Sequence, residues 1–290
     1  MSGTGRSLKS RVWRAAQPIA IAAGQWNAQQ RVLPDFLIIG AQRCGTTSLH
    51  EWLARHDAVR FPRLGKGVHY FDTASHRGER WYRAHFPTRR SIDQLRREHG
   101  AAAVGEASPY YLFHPAVPER VAALDAEIRF IVVLRDPVSR AWSHYLHEVR
   151  RGHEHRTFEA AIKAEADAVD QVPASDLGRR GFVSYEHQHH SYVARGRYAE
   201  QLARWFDVVG RERGLVLVNH ELFASDGSGG KAVLEFLGLP AADLGAFPRE
   251  NATTGGSMSD EARALLTERF ADEAMRTSEI LGREIAWSSR

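Results

Sequence analysis

The sequence predicts a single α/β domain in which a central, mostly parallel β-sheet is flanked by helices in three layers. Short apolar segments of strand length alternate along the chain with segments of helical periodicity, which is the pattern of parallel β–α units. Two of these segments, 35–40 (DFLIIG) and 128–135 (IRFIVVLR), are almost uninterrupted, as strands at the centre of a parallel sheet are. A chain of 290 residues is also long enough to bury a sizeable core without disulfides.

Four strands are predicted in the first half of the chain: 35–40, 68–72 (VHYFD), 101–106 and 128–135. Three helices are predicted between them: 48–56, 79–86 and 91–99. Asp136 and Pro137 follow the last of these strands, and they are residue types preferred at the N-cap and at the first position of a helix. A further helix is therefore expected to start at Pro137.

The second half of the chain is predicted to be mainly helical, with one more core strand at 214–221. The predicted helices are 157–168, 191–210, 231–238 and 260–281. Two segments rich in turn-forming residues, 171–181 and 249–259, are predicted to be loops. Because parallel α/β sheets bind ligands at the carboxyl ends of their strands, the residues that follow the strands are the candidate site.

Composition and charge exclude several classes of protein. The chain is 43% hydrophobic and 26% charged, which excludes collagenous and disordered proteins. Its single cysteine, Cys44, excludes a disulfide framework and a cysteine-rich zinc site. No apolar segment approaches the roughly 18 residues of a membrane helix. The net charge of +4 suits anionic ligands, but no basic stripe or motif predicts a nucleic-acid partner.

Residues 1–30 are predicted to be a flexible basic leader that precedes a domain spanning 31–290. The apolar part of the leader (PIAIAA) is short and begins at Pro18, so it is interpreted neither as a secretory signal nor as a span. Peripheral contact with a membrane surface is left open. The expected location is cytoplasmic, and nothing in the sequence indicates the oligomeric state.

The segment 40–48 (GAQRCGTTS) predicts a phosphate-binding loop. Its glycines stand between a buried strand and a helix, where backbone N–H groups and the positive helix end bind anions. A Walker A loop has a lysine at the position of Thr46, so this loop lacks the usual triphosphate contact. The alternative is a glycine turn that only permits close strand–helix packing. The candidate phosphate-binding residues are Arg43, Cys44, Gly45, Thr46, Thr47 and Ser48.

A second candidate anion site follows the strand at 128–135. Arg135 ends that strand, and Ser143 lies in the helix after it, so together they offer a charge and a hydroxyl for a phosphate. Pairing of Arg135 with Asp136 or another carboxylate is the alternative. The position of this segment relative to the glycine-containing loop favours a ligand site.

The two motifs together resemble those of the sulfotransferases that use 3′-phosphoadenosine 5′-phosphosulfate (PAPS), in particular the carbohydrate-type and bacterial small-molecule branches. The segment 38–49 is similar to the family's 5′-phosphosulfate loop, and 130–145 to its 3′-phosphate element. The likeness runs from about Pro34 to the final helix. It implies one P-loop-like domain in which Arg135 and Ser143 bind the 3′-phosphate of the donor.

The sequence departs from the family pattern at two positions. Arg43 stands where the family usually has lysine, which keeps the positive charge but makes a poor proton donor. Carbohydrate-type members typically read Lys-Glu-x-His-Phe-Phe, and the glutamate is their usual general base. This chain reads KGVHYF at 66–71, with Gly67 in place of that glutamate. The likeness implies that Lys66 contacts the transferring sulfonyl group.

Two residues are candidates for the missing base. His69 has a suitable ordinary pKa, and in an extended segment it would lie on the same face as Gly67, which leaves it room. Glu106, at the end of a predicted strand, is the second candidate. A third possibility is that the acceptor is acidic enough, as a phenol is, to need little help.

The resemblance implies an enzyme that moves a sulfuryl group from PAPS to a hydroxyl of a carbohydrate, lipid or small-molecule acceptor by in-line displacement, leaving 3′-phosphoadenosine 5′-phosphate (PAP). Segments 170–182 and 250–257 are expected to wall the donor and acceptor, with Arg249 as a basic contact. No metal is predicted, and the histidines in 153–155 and 186–190 are interpreted as solvent-exposed. The alternatives are a P-loop small-molecule kinase and a catalytically silent nucleotide-binding protein.

Overall fold

The computed structural model describes residues 8–63, 65–168, 172–248 and 256–287. Over these residues the chain forms one five-stranded parallel sheet with helices on both faces, as the sequence predicts. The strand order is β2-β3-β1-β4-β5. The strands are Phe36–Gly40 (β1), Val59–Arg60 (β2), Ala103–Ala107 (β3), Arg129–Leu134 (β4) and Gly214–Val218 (β5).

The described helices surround this sheet. They are Leu8–Trp26 (α1), Thr46–Leu53 (α2), Glu79–Arg83 (α3), Arg89–His99 (α4), Val117–Leu124 (α5), Pro137–Arg151 (α6), Phe158–Ala168 (α7), Ala174–Gly178 (α8), Tyr185–His189 (α9), Tyr198–Val209 (α10), Asn219–Leu222 (α11), Ser228–Leu237 (α12), Asp260–Arg269 (α13) and Glu273–Leu281 (α14).

The centre of the sheet is the hydrophobic core. Every residue of β1 and β3 is buried, and so are the last five residues of β4. β1 lies between β3 and β4, with Leu37 opposite Glu106 on one side and Phe130 on the other. Each large apolar side chain buried here stabilises the fold by about 1.5–3 kcal/mol.

The order of the strands places the candidate site. From β1 the chain crosses toward β2 at one edge, whereas from β4 it continues to β5 at the other edge. The loops after the neighbouring strands β1 and β4 therefore leave the sheet in opposite directions, and a crevice opens between them. The two motifs identified in the sequence occupy these two loops.

The prediction of a strand at 68–72 is wrong. Gly67 and His69 have positive φ angles of 81° and 55°, which interrupt an extended backbone. The N–H groups of Val68, His69 and Phe71 bond to side chains rather than to a neighbouring strand. The short edge strand is β2 instead, which pairs with β3.

Asp136 and Pro137 begin α6 as predicted, and the Asp136 carboxylate accepts a hydrogen bond from the Ser139 N–H at 2.8 Å. Two of the other helices differ most from their predicted ranges. The predicted helix 191–210 begins only at Tyr198, because the Glu165 carboxylate holds the N–H groups of the residues before it. The predicted helix 260–281 is divided into α13 and α14.

The N-terminal segment contains a helix where a flexible leader was expected. α1 covers Leu8–Trp26, and a Cβ on Gly24 would lie 2.8 Å from the Ala84 carbonyl oxygen, so α1 lies close against the end of α3. Trp26 and Ile19 remain exposed. A search of the described helices finds none with the length and apolar character needed to cross a membrane.

Candidate active site

The loop after β1 has the geometry of an anion cradle. Gly45 directly precedes α2 with a φ angle of 109°, and a Cβ there would lie 2.8 Å from the Phe223 ring. Only glycine fits this position without strain. The side-chain amide of Asn219 donates to the Cys44 carbonyl at 2.8 Å and fixes the loop from behind. The first N–H groups of α2 lack intrahelical acceptors, which is what an anionic group requires.

The hydroxyl residues at the start of α2 differ in their exposure. Thr46 and Ser48 are buried, whereas Thr47 is half-buried. Thr47 accepts a hydrogen bond from the Lys66 ammonium group at 2.7 Å. Burial lowers the pKa of Lys66 to about 8. Lys66 therefore lies against the loop with a charge that is easily lost above neutral pH.

Arg43 joins the two predicted anion sites. Its Nε donates to the buried Ser143 hydroxyl at 3.1 Å, which connects the loop after β1 to α6. Burial, together with Arg150 and Arg135, lowers the pKa of Arg43 to about 10, so it stays charged near neutral pH. Positive groups gathered around Arg43 in this way form a region that favours bound anions.

Arg135 lies directly after β4, as predicted. Its carbonyl accepts a hydrogen bond from the Tyr198 hydroxyl at 2.9 Å, so α10 fixes its backbone. The structure thus brings Arg43, Arg135 and Ser143 to the same crevice from three different elements.

Cys44 is a packing residue in this structure. It is fully buried, and its Sγ lies 3.8 Å from the Tyr198 hydroxyl. Burial raises the pKa of the thiol to about 11. The thiol is therefore neutral under ordinary conditions and a poor nucleophile.

His69 is held by an acidic partner. Its Nδ1 lies 2.8 Å from Oδ2 of Asp72, whose side chain is buried. Burial disfavours the charged imidazole, but Asp72 and then Glu106 outweigh this effect and raise the pKa of His69 above its ordinary value. A Cβ on Gly67 would lie 3.0 Å from His69 Nε2. The absence of a side chain at Gly67 therefore gives the imidazole its space, although the segment is not extended.

Glu106 is enclosed and fully bonded. Hydroxyl groups of Tyr82, Ser108 and Tyr111 donate to its carboxylate at 2.5, 2.6 and 2.8 Å, and the Val68 N–H donates at 3.2 Å. Its side chain is fully buried, and burial raises its pKa. A carboxylate with four hydrogen-bond donors and no exposure to solvent has the properties of a structural group. Glu106 anchors the segment that bears His69.

Three further residues of the site escaped the sequence analysis. Asp72 and Asn219 carry no motif that would have identified them. Arg195 is buried, donates to the Gln42 side chain of the loop, and lies with its guanidinium 4.6 Å from the centre of the Tyr110 ring. Its sequence context, a short basic segment, is equally typical of an exposed surface.

The predicted walls are described in part. The segment 172–182 contains α8, and the Arg120 guanidinium donates to the carbonyls of Leu177 and Gly178 as well as to that of Phe71. Arg120 thus connects this wall to the segment of His69. Arg249 and most of 250–257 lie outside the described residues.

The predicted exposure of the histidine-rich segments is wrong in part. Glu154, His187 and His190 are buried. Their polar atoms bond within the protein, so the local polarity of the sequence did not reveal their burial.

A parallel sheet with an anion cradle after one central strand, and with an arginine and a serine after the neighbouring strand, defines a P-loop-like α/β protein with a candidate site for anionic groups. The family model for the sulfotransferase domain matches residues 33–282. The chain belongs to the sulfotransferase family, which confirms the resemblance drawn from the motifs.

Individual relatives agree with this assignment. A sulfotransferase structure from Alicyclobacillus acidocaldarius is 27% identical, has a TM-score of 0.63, and matches over 88% of this chain and 98% of its own. Heparan sulfate glucosamine 3-O-sulfotransferase 3B1 of Mus musculus is 29% identical over 77% of this chain and 50% of its own length. The Homo sapiens bifunctional heparan sulfate N-deacetylase/N-sulfotransferase 2 is 30% identical over 71% of this chain and 22% of its own. The chain spans about half or less of these two curated relatives.

Proposed function

We propose that this protein transfers a sulfuryl group from PAPS to a hydroxyl group of a carbohydrate or small-molecule acceptor. Membership of the sulfotransferase family supports the donor and the reaction. The observation that carries the proposal is the hydrogen bond from Arg43 to Ser143, because it unites two anion sites at the ends of neighbouring strands. PAPS carries anionic groups at both ends of its ribose and suits a site of this form.

The reaction is an in-line displacement. The acceptor oxygen attacks sulfur, the bond from sulfur to the bridging oxygen breaks, and PAP leaves with the electron pair of that bond. Arg43 and Lys66 stabilise the charge that develops on the bridging and sulfonyl oxygens. Fixed charges and N–H groups of this kind act through preorganisation, which is the largest contribution in many enzymes.

His69 is the group that takes the acceptor proton in this proposal. The Asp72 carboxylate accepts a hydrogen bond from Nδ1–H of His69, which leaves the lone pair of Nε2 for the acceptor hydroxyl. The same pairing stabilises the imidazolium that forms. Glu106 is unsuited to this step, because its oxygens already accept four hydrogen bonds inside the protein.

The first experiment measures the affinity of the protein for the nucleotide part of the donor. Titration calorimetry should give clearly tighter binding of PAP than of ADP or AMP, because only PAP carries the 3′-phosphate. Radiolabelled sulfate transfer from PAPS is then measured with glycan, lipid and phenol acceptors. Equal affinity for PAP and AMP would contradict the proposal, and magnesium-dependent use of ATP would favour a kinase.

The acceptor class rests on the relatives. Heparan sulfate is named for the curated relatives, so a carbohydrate hydroxyl is the first acceptor to test. Tight PAP binding with no transfer to any acceptor would identify a silent nucleotide-binding protein, the outcome that Gly67 in place of a glutamate suggests. We keep a cytoplasmic location as a further proposal, which fractionation of cells would test.

A further inference from the structure

A group of histidines surrounds one buried carboxylate beside the donor site. Glu148 lies near the end of α6, and its side chain is fully buried. Its Oε2 lies 3.0 Å from Nδ1 of His189, the last residue of α9. His153, just beyond α6, completes a set whose ligand atoms all lie within 4.8 Å of one another.

The carboxylate has unused bonding capacity. Among the described residues, Oε1 of Glu148 has no hydrogen-bond partner. The nearest nitrogen atoms are His144 Nε2 at 3.6 Å and His147 Nε2 at 4.0 Å, both beyond hydrogen-bond distance. A buried, unsatisfied carboxylate oxygen costs about 1–3 kcal/mol or more, so a native structure needs a reason to keep one.

We propose that Glu148, His153 and His189 bind a divalent transition-metal ion of the zinc class. Two imidazoles and one carboxylate are a common ligand set for zinc, and they leave a fourth position for water or for His147. The set is a poor match for magnesium or calcium, which prefer oxygen ligands only. This proposal does not rest on the proposed function.

Neighbouring groups support the ligands. The Tyr185 hydroxyl lies 2.8 Å from Nδ1 of His153, and His190 Nε2 lies 2.8 Å from the His153 carbonyl. Metal-bound histidines usually have a partner at the other ring nitrogen, and the Tyr185 hydroxyl is such a partner for His153, whereas His190 holds only the backbone of that residue.

Binding needs two changes, and the first is the loss to solvent of the proton that lies between His189 Nδ1 and Glu148 Oε2. The rings of His153 and His189 are stacked, with centroids 4.3 Å apart and planes 19° apart, so their lone pairs run side by side. His153 is half-buried and follows Gly152, the residue that ends α6. The second change is rotation of the His153 side chain, which would turn its lone pair toward Glu148 and His189.

Bound metal would connect α6 to α9. Ser143 lies one helical turn before His147 on α6, so the connection would hold the donor side of α6 in place. The role is structural, because the set is not part of the residues assigned to sulfuryl transfer.

The test uses Co²⁺ as a spectroscopic substitute for Zn²⁺. The full chain is treated with a chelator, titrated with Co²⁺ and followed by visible d–d absorption, and its melting temperature is measured with and without Zn²⁺. We expect visible bands, displacement of Co²⁺ by Zn²⁺ and a higher melting temperature. Absence of the bands would overturn the proposal.

Variants locate the site. His153→Gln and His189→Gln should weaken Co²⁺ binding by more than about tenfold, since even the loss of a residue behind a ligand costs about 10–100-fold. His155→Gln is the matched control, because His155 is exposed and outside the set. Because His153 is half-buried, His153→Gln should disturb folding little. Circular dichroism checks that this variant is folded. Equal Co²⁺ binding by His153→Gln, His189→Gln and His155→Gln would refute the site.

Discussion

At the scale of single residues, Gly67 stands where the resemblance leads us to expect a glutamate, and it gives the His69 imidazole its space. Gly67 has a φ angle of 81° and lies against His69 Nε2. The Asp72 carboxylate holds the imidazole in place and favours its charged form. The sequence indicated His69 from its residue type and from the gap beside it. The sequence did not indicate Asp72, because the contact between Asp72 and His69 depends on a turn that no periodic pattern predicts.

Restoring the family glutamate should therefore harm this protein. We expect Gly67→Glu to lower kcat for sulfate transfer and to reduce stability, because left-handed backbone at a non-glycine residue costs about 1–3 kcal/mol and the new Cβ would press on His69. Gly67→Ala and Gly65→Ala separate the effect of backbone strain from the effect of the Cβ contact with His69. Gly65 has a φ angle of 125° with open space around it, so its variant carries only the strain. A Gly67→Glu protein more active than the natural chain would contradict this explanation.

The pH dependence of kcat/KM should be bell-shaped. The rising limb belongs to His69, which acts as a base only when neutral and whose pKa is raised above its ordinary value. The falling limb belongs to Lys66, which loses its charge as the pH passes about 8.

Asp72→Asn tests the rising limb directly. Removing the negative charge destabilises the imidazolium, so the limb should move to lower pH while kcat falls because the ring loses its orientation. Asp93→Asn, an exposed change on α4, is the control. An unchanged rising limb in Asp72→Asn would exclude His69 as the base.

At the scale of elements, the sequence predicts the helices and strands whose backbone hydrogen bonds lie within the same helix or the same sheet. The strands β1, β3, β4 and β5 correspond to short, mainly apolar segments of strand length, of which those of β1 and β4 are almost uninterrupted. β2 was missed because two residues are too few for a pattern. The segment 68–72 has the composition of a strand, but its N–H groups bond to Glu106, Ser108 and Tyr111. A sequence does not reveal such long-range partners of a backbone.

Glu106 should therefore matter for folding more than for chemistry. In Glu106→Gln, an amide N–H₂ group would face hydroxyl and N–H donors, so we expect a loss of about 1–3 kcal/mol in the free energy of unfolding in urea. Glu127→Gln is the control, because Glu127 is exposed. Sulfate transfer by Glu106→Gln and by the natural chain is compared at a temperature well below the melting temperature of each. Loss of activity in folded Glu106→Gln, with normal turnover in His69→Gln, would make Glu106 the base.

At the scale of the whole molecule, the strand order determines where the two predicted anion sites lie. β1 and β4 are neighbours at the centre of the sheet, and the groups that follow them meet in one crevice. The sequence predicted this meeting, because both motifs end buried strands of one parallel sheet. It did not predict the direct bond from Arg43 to Ser143, which depends on the φ angle of 73° at Arg43.

This arrangement predicts a selective loss of donor affinity. Arg135→Ala and Ser143→Ala should each weaken PAP binding by about ten- to hundredfold, as the loss of a bond to a charged group of about 1.5–3 kcal/mol implies. AMP binding should change little, because AMP lacks the 3′-phosphate. Arg97→Ala, an exposed change on α4, is the control in calorimetry. Equal losses for PAP and AMP would place the 3′-phosphate elsewhere.

The histidine beside Gly67 also limits the conditions under which the protein can work. A glutamate remains ionised down to about pH 4–5, whereas an imidazole with a raised pKa is already protonated in mildly acidic surroundings. A glutamate base would therefore remain able to accept a proton in such surroundings. This chain would lose its proton acceptor there while still holding its nucleotide, and would resume turnover on return to neutrality.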